Sequence, residues 1–236
     1  MPPDPMTISI ITGANKGLGY EAARRLKELG HTVLLGARDP GRGRIAADAL
    51  GIRFVQIDVA DDDSVANAVA DVRAREGHID VLINNAGIAG KRAPTPELTA
   101  DDALEVYNTN VVGIVRVTNA FLPLLRLSES PVIVNVSSQM GSFATNHDPD
   151  QLQSQIIMPL YQSSKAAVCM LTVIYARALP DMRVNAVSPG YTATDFTNHR
   201  GTQTVTEGTD AMVALATISK DGPTGTFQDR TGIVAW

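Results

Sequence analysis

The stretch "ISIITGANKGLGYEAARRLKELG", residues 8–30, decides the fold. Its β-branched opening, Ile8 to Thr12, reads as a buried strand. Gly19–Leu29 has helical spacing, with Ala22, Ala23, Leu26 and Leu29 on one side, and Gly30 ends it. Between them Gly13, Gly17 and Gly19 stand where a strand turns into a helix, so that backbone can approach a pyrophosphate facing the positive helix end. The spacing is GxxxGxG, not the GxGxxG of the general dinucleotide fingerprint. Taken alone it fits a tight turn as well as a phosphate cradle; between a strand and an amphipathic helix it points to a dinucleotide.

Outward from this unit the same alternation continues. Strands are expected at 32–36, 53–59, 80–87 (with its exit turn), 132–138 and 183–190, and a last short one in "GIVAW" at the end of the chain. Helices are expected at 43–50, 64–75, 99–126 (interrupted at "NTNVVG") and 161–179. "DDD" at 61–63 precedes a helix, where acidic groups cap the positive end of its dipole. Such alternation predicts an α/β fold: one doubly wound Rossmann-type domain over 1–236, with a mainly parallel sheet of about seven strands and helices on both faces. Two irregular stretches, 139–160 and 191–205, follow strand ends, where open parallel sheets bind ligands.

Composition narrows the function classes. A net charge of −5 argues against a nucleic-acid or anionic-membrane surface, and no apolar run is long enough to cross a bilayer. The one cysteine, Cys169, excludes an internal disulfide and falls in an apolar helical pattern, as a buried structural thiol would. "MPPDPM" has no signal-peptide pattern, so residues 1–6 read as a loose leader and the cytoplasm as the location. With no second histidine or cysteine at ligand spacing, no metal is expected; His147 is the one histidine expected near a pocket.

The end of the second strand chooses the cofactor. An acidic residue there suits a ribose 2′-hydroxyl and an arginine a 2′-phosphate; this chain has "GARD", with Arg38 ahead of Asp39. Lys16 in the glycine loop is a second cation for the same phosphate, which favours NADP(H), although Asp39 could serve a hydroxyl instead. Further on, "YQSSK" sets Tyr161 and Lys165 at i and i+4 on one helix face. That is either a chance surface pair or a phenol whose anion the ammonium stabilises enough to make it an acid or base near neutrality.

In order, "TGANKGLG", "DV" at 58–59, "NNAG" at 84–87, Asn110 of "NTN", "NVSS" at 135–138, "YQSSK" and "SPG" at 188–190 make the chain resemble the short-chain dehydrogenase/reductase family along nearly its whole length. "GARD", Lys16 and "GPTG" at 222–225 are most similar to its NADPH-dependent carbonyl reductase branch. The resemblance implies an oxidoreductase reducing a ketone or aldehyde with catalytic Asn110, Ser138, Tyr161 and Lys165. Tyr161 would protonate the substrate oxygen, Ser138 would hydrogen-bond it, Lys165 would hold the nicotinamide ribose and lower the tyrosine pKa, and Asn110 would support a proton relay through water. By the same match NADP(H) would be met by Gly13, Asn15, Lys16, Gly17, Leu18, Gly19, Arg38, Asp58, Val59, Asn85, Ala86, Gly87, Tyr161, Lys165, Pro189, Gly190, Thr192 and Thr194.

Ser138 and Tyr161 lie 23 positions apart, a longer gap than in many members of the family, so 139–160 is an insertion by the substrate entrance, a lid or an exposed loop. It leaves homodimer, homotetramer and monomer open. Met140, Phe143, Ile156, Ile157, Tyr191 and Phe196 are candidate apolar walls around a small-molecule carbonyl or alcohol. Two other readings are a catalytically silent NADP(H)-sensing regulator, which would have lost the tyrosine or lysine, and an epimerase or dehydratase of the wider family.

Overall fold

In the computed structural model, which describes residues 7–236, the alternation becomes a single sheet. Its strands are β1 (Ile8–Ile11), β2 (Thr32–Ala37), β3 (Arg53–Gln56), β4 (Val81–Asn84), β5 (Val132–Val136), β6 (Arg183–Val187), β7 (Phe227–Asp229) and β8 (Gly232–Ile233). They lie in the order β3-β2-β1-β4-β5-β6-β7-β8. The first seven are parallel and β8 returns antiparallel; β8 is the short strand expected in "GIVAW", and β7, paired with β6, is the strand added to the expected seven.

The helices cover both faces, as doubly wound connections require. Period-two alternation sends Ile11, Val33, Leu35, Val81 and Val134 toward α1 (Gly17–Glu28), α2 (Pro40–Leu50) and, later in the chain, α9 (Asp210–Ala216). Ile10, Leu34, Leu82 and Ile133 point the other way, toward α3 (Asp62–Arg75), α5 (Gly113–Leu125) and α7 (Pro159–Ala178). The remaining helices are α4 (Ala100–Tyr107), α6 (Phe143–His147) and α8 (Val205–Gly208). None is long and apolar enough to cross a membrane among the described residues.

Several helices begin before the apolar pattern does. Pro40 occupies the first turn of α2 behind the Asp39 cap, and α7 likewise opens on Pro159. Asp61 caps α3 by accepting from the Ser64 amide at 2.6 Å, which is the role expected of the acidic run. The stretch 139–160, expected to be irregular, contains α6 and two 3-10 turns, Gln139–Gly141 and Leu152–Gln155. The leader at 1–6 lies outside the described residues.

Candidate active site

Parallel strands put their carboxyl ends on one edge, and where the chain reverses between β1 and β4 a crevice opens. It is a cleft of about 1340 Å³, larger than an ordinary small-molecule pocket. Every residue assigned above to catalysis or cofactor lines it, with the exception of Asn110.

At one end is the glycine turn. Gly13 has φ +64°, and a Cβ there would stand 2.9 Å from the Ala86 Cα, so the turn can lie this close to β4's exit only with glycine. Asn85 braces it: its Nδ2 donates to the carbonyls of Thr12 (2.8 Å) and Gly13 (3.1 Å), while Thr12 Oγ1 accepts from the amides of Asn85 and Ala86. The Asn85 side chain therefore acts on the turn. Asp58 similarly turns one carboxylate oxygen to the Ala60 amide at 3.0 Å.

Of the two residues at the end of β2, Arg38 lines the cleft. Asp39 is not among the lining residues, and its Oδ1 accepts from the Arg42 amide at 2.8 Å as the cap of α2. Lys16, the other cleft cation, donates from Nζ to Asp195 Oδ2 at 2.9 Å.

Tyr161 and Lys165 are both buried on the inner face of α7. Burial pushes the Tyr161 phenol up to about 12, with a hydrogen bond from Ser138 pulling the other way, and brings the Lys165 ammonium down to about 8. Lys165 Nζ donates to the Val136 carbonyl at 2.8 Å and stands 5.6 Å from the Tyr161 ring centroid. Without a bound cofactor, desolvation is the largest influence on the phenol. Cys169, one turn on, is buried against Ser137 Oγ at 3.1 Å and its thiol is pushed up by burial, as suits an inert structural thiol.

Asn110 sits in a π-helical segment, Asn108–Val112, between α4 and α5. Its Nδ2 donates to the Ile88 carbonyl (2.9 Å) and Ser164 Oγ (3.0 Å), and its Oδ1 accepts from the Ile88 amide (2.8 Å). Ser164 in turn donates to the Tyr161 carbonyl at 2.7 Å. Asn110 hence ties the exit of β4 to the start of α7, and its side chain reaches the cleft only through them.

Below these groups runs a ladder that the motif reading passed over. Asn84 Nδ2 donates to Asn135 Oδ1 (2.9 Å) and Thr118 Oγ1 (3.0 Å), and Asn135 Nδ2 donates to Thr172 Oγ1 (3.0 Å). All four side chains are buried and satisfied, which locks β4 and β5 to α5 and α7. Its signal in the sequence is an amide inside each of two otherwise apolar runs, "VLIN" and "VIVNV".

The insertion is anchored at its root. Gln139 Nε2 donates to Asp229 Oδ2 (2.8 Å) and its Oε1 accepts from Gln153 Nε2 (2.9 Å). Gly141 passes so close to α7 that a Cβ would stand 2.6 Å from the Ala166 amide nitrogen. Met140, Ile156, Ile157, Tyr191 and Phe196 all line the cleft, and the Phe196 ring lies on that of Tyr161, centroids 5.4 Å apart. Phe143, expected in this wall, points away and is 69% exposed, because Ser142 caps α6 and turns it outward. His147 is exposed and outside the lining; the histidine that does line the cleft is His199, bonded to Asp195 at 2.9 Å.

Residues 7–205 match the model of a family described as short chain dehydrogenase. A (+)-neomenthol dehydrogenase from Capsicum annuum is 30% identical over 93% of this chain and 94% of its own length. Among solved structures, salutaridine reductase from Papaver somniferum superposes with a TM-score of 0.83 at 28% identity, covering 94% of this chain and 99% of that one. The carbonyl reductase Sniffer of D. melanogaster does so with a TM-score of 0.85 at 26% identity, over 98% and 100% of the two chains.

Proposed function

The chain belongs to the short-chain dehydrogenase family of nicotinamide-dependent oxidoreductases, and from that premise we propose that it uses NADPH to reduce an apolar ketone or aldehyde to the alcohol, with Tyr161 as proton donor. The observation that carries the reading is that Ser138, the buried Tyr161 and Lys165 line the same cleft as Arg38 and Lys16.

A dinucleotide fits the residues present: the cleft has the volume, the glycine turn brings backbone to its wall, and Arg38 makes no salt bridge among the described residues. Arg38 and Lys16 would hold the 2′-phosphate, and the glycine turn the pyrophosphate. When bound, the cofactor supplies the hydride that reaches the carbonyl carbon. Ser138 and Tyr161 then stand on the carbonyl oxygen as negative charge develops there, and the phenol, protonated at neutral pH, gives it the proton. Lys165, held by the Val136 carbonyl, places positive charge under the ring, where it favours the phenolate left behind. Leu152, Ile156, Ile157 and Phe196 form an apolar wall, consistent with relatives named for reducing or oxidising menthol-type compounds and salutaridine. Tyr161, Lys165 and Ser138 together favour turnover over a silent sensor, and the single thiol suits a reducing compartment such as the cytoplasm.

The test is loss of NADPH absorbance with a panel of cyclic and aliphatic ketones. Tyr161→Phe should lose at least about 100-fold in kcat while retaining cofactor binding. Full activity in that variant would overturn the assignment, and an unchanged NADPH preference after Arg38→Ala would overturn the choice of cofactor.

A further inference from the structure

Asp195 has no part in the chemistry just described, yet it holds one of the two cations assigned to the cofactor phosphate. Its carboxylate binds Lys16 Nζ at 2.9 Å through one oxygen and His199 Nε2 at 2.9 Å through the other. Lys16 and Asp195 are 179 positions apart, one in the glycine turn and one in the segment after β6, and both line the cleft. Their side chains are 61% and 59% exposed, so the pair contributes little to stability and its partners exchange readily. Lys16 Nζ makes no other hydrogen bond among the described residues, and as the N-cap of α1 its side chain caps nothing.

We propose that Asp195 is a specificity-determining residue for the cofactor: it competes with the 2′-phosphate for Lys16 and so sets how strongly the cleft prefers NADPH to NADH. The proposal rests on the NADPH reading above. Its logic is electrostatic. A dianionic phosphate arriving between Arg38 and Lys16 meets one free cation and one already neutralised, and must displace a carboxylate that NADH has no cause to disturb. Removing that carboxylate frees the ammonium for the phosphate alone. Asp195 adjoins Phe196, whose ring lies on Tyr161, so binding rather than turnover is the clean readout.

The experiment measures dissociation constants of NADPH and NADH by nicotinamide fluorescence, for wild type and for Asp195→Asn, alone and combined with Lys16→Met. Asp195→Asn should tighten NADPH about five- to tenfold and change NADH by less than about twofold, an effect that shrinks in high salt. In the Lys16→Met background the gain should vanish. An equal change for both cofactors, no change, or a gain that survives Lys16→Met would overturn the role of Asp195 while leaving an NADPH preference in wild type intact. If wild type and Asp195→Asn each bind the two cofactors equally, both readings fall; a preference that appears only in Asp195→Asn would support the competition.

Discussion

Replacing Lys165 by methionine should make the protein more stable at neutral pH while abolishing its activity. Burial lowers the Lys165 pKa from 10.5 to about 8, so the folded state resists a proton that the unfolded chain binds readily. A base lowered on folding costs stability wherever the unfolded chain is charged. The cost is complete below about pH 8, fades as pH rises to 10.5, and is gone above it. A shift of that size corresponds to about 3 kcal/mol. Against it stands the hydrogen bond to the Val136 carbonyl, whose loss costs about 1 kcal/mol. Lys165→Met should therefore gain about 2 kcal/mol at pH 7, or about 4–8 °C in Tm for a chain of this length. By pH 10.5 the advantage should fall to within about 1 kcal/mol of zero, since only the lost hydrogen bond remains. Urea unfolding of cofactor-free wild type and variant, followed by circular dichroism at several pH values between 7 and 10.5, measures this directly. A difference that does not change with pH, or a variant less stable at pH 7, would refute the claim that desolvation dominates at this lysine.

Two further outcomes follow from other sites. Gly13→Ala should destabilise the fold by about 1–3 kcal/mol, because it combines a positive φ with a clash against Ala86, and it should weaken NADPH binding; a urea midpoint equal to wild type would contradict that geometry. His31, bonded to Ser9 at 2.7 Å and half-buried, has its pKa lowered by burial against an opposing pull from Asp80. Its contribution to stability is complete above pH 6.5 and is lost as pH falls below that value, so His31→Asn should flatten the acid limb of the stability profile; an unchanged limb would mean other groups set it.

How far the sequence carries the molecule depends on the range of the interaction. Strand and helix order is written in local periodicity, and so is the Tyr161–Lys165 pair, whose four-residue spacing commits both to one face of α7. The glycine turn was legible for the same reason: Gly13 answers a local backbone demand. What was not legible depends on register between distant segments. Asn84 meets Asn135 because β4 and β5 pair in that register, 51 positions apart, and nothing near either residue announces it. The choice between His147 and His199 turned on which irregular segment folds inward, and the short helix α6 turned the first one out. The burial of the Tyr161 phenol was not legible either, because charge spacing can be read along a helix whereas desolvation depends on everything packed around it.

Gly141 has a consequence for how such a protein can change. Its backbone lies against α7 beside Lys165, and Gln139 fastens the same point to Asp229, so the chain leaves the catalytic floor at a fixed place and direction. It returns at Pro159, equally fixed by the start of α7. Between these posts the segment behaves as a cassette: its length and its apolar side chains can be exchanged for those of another reductase, recasting the substrate wall, while Ser138, Tyr161 and Lys165 keep their positions.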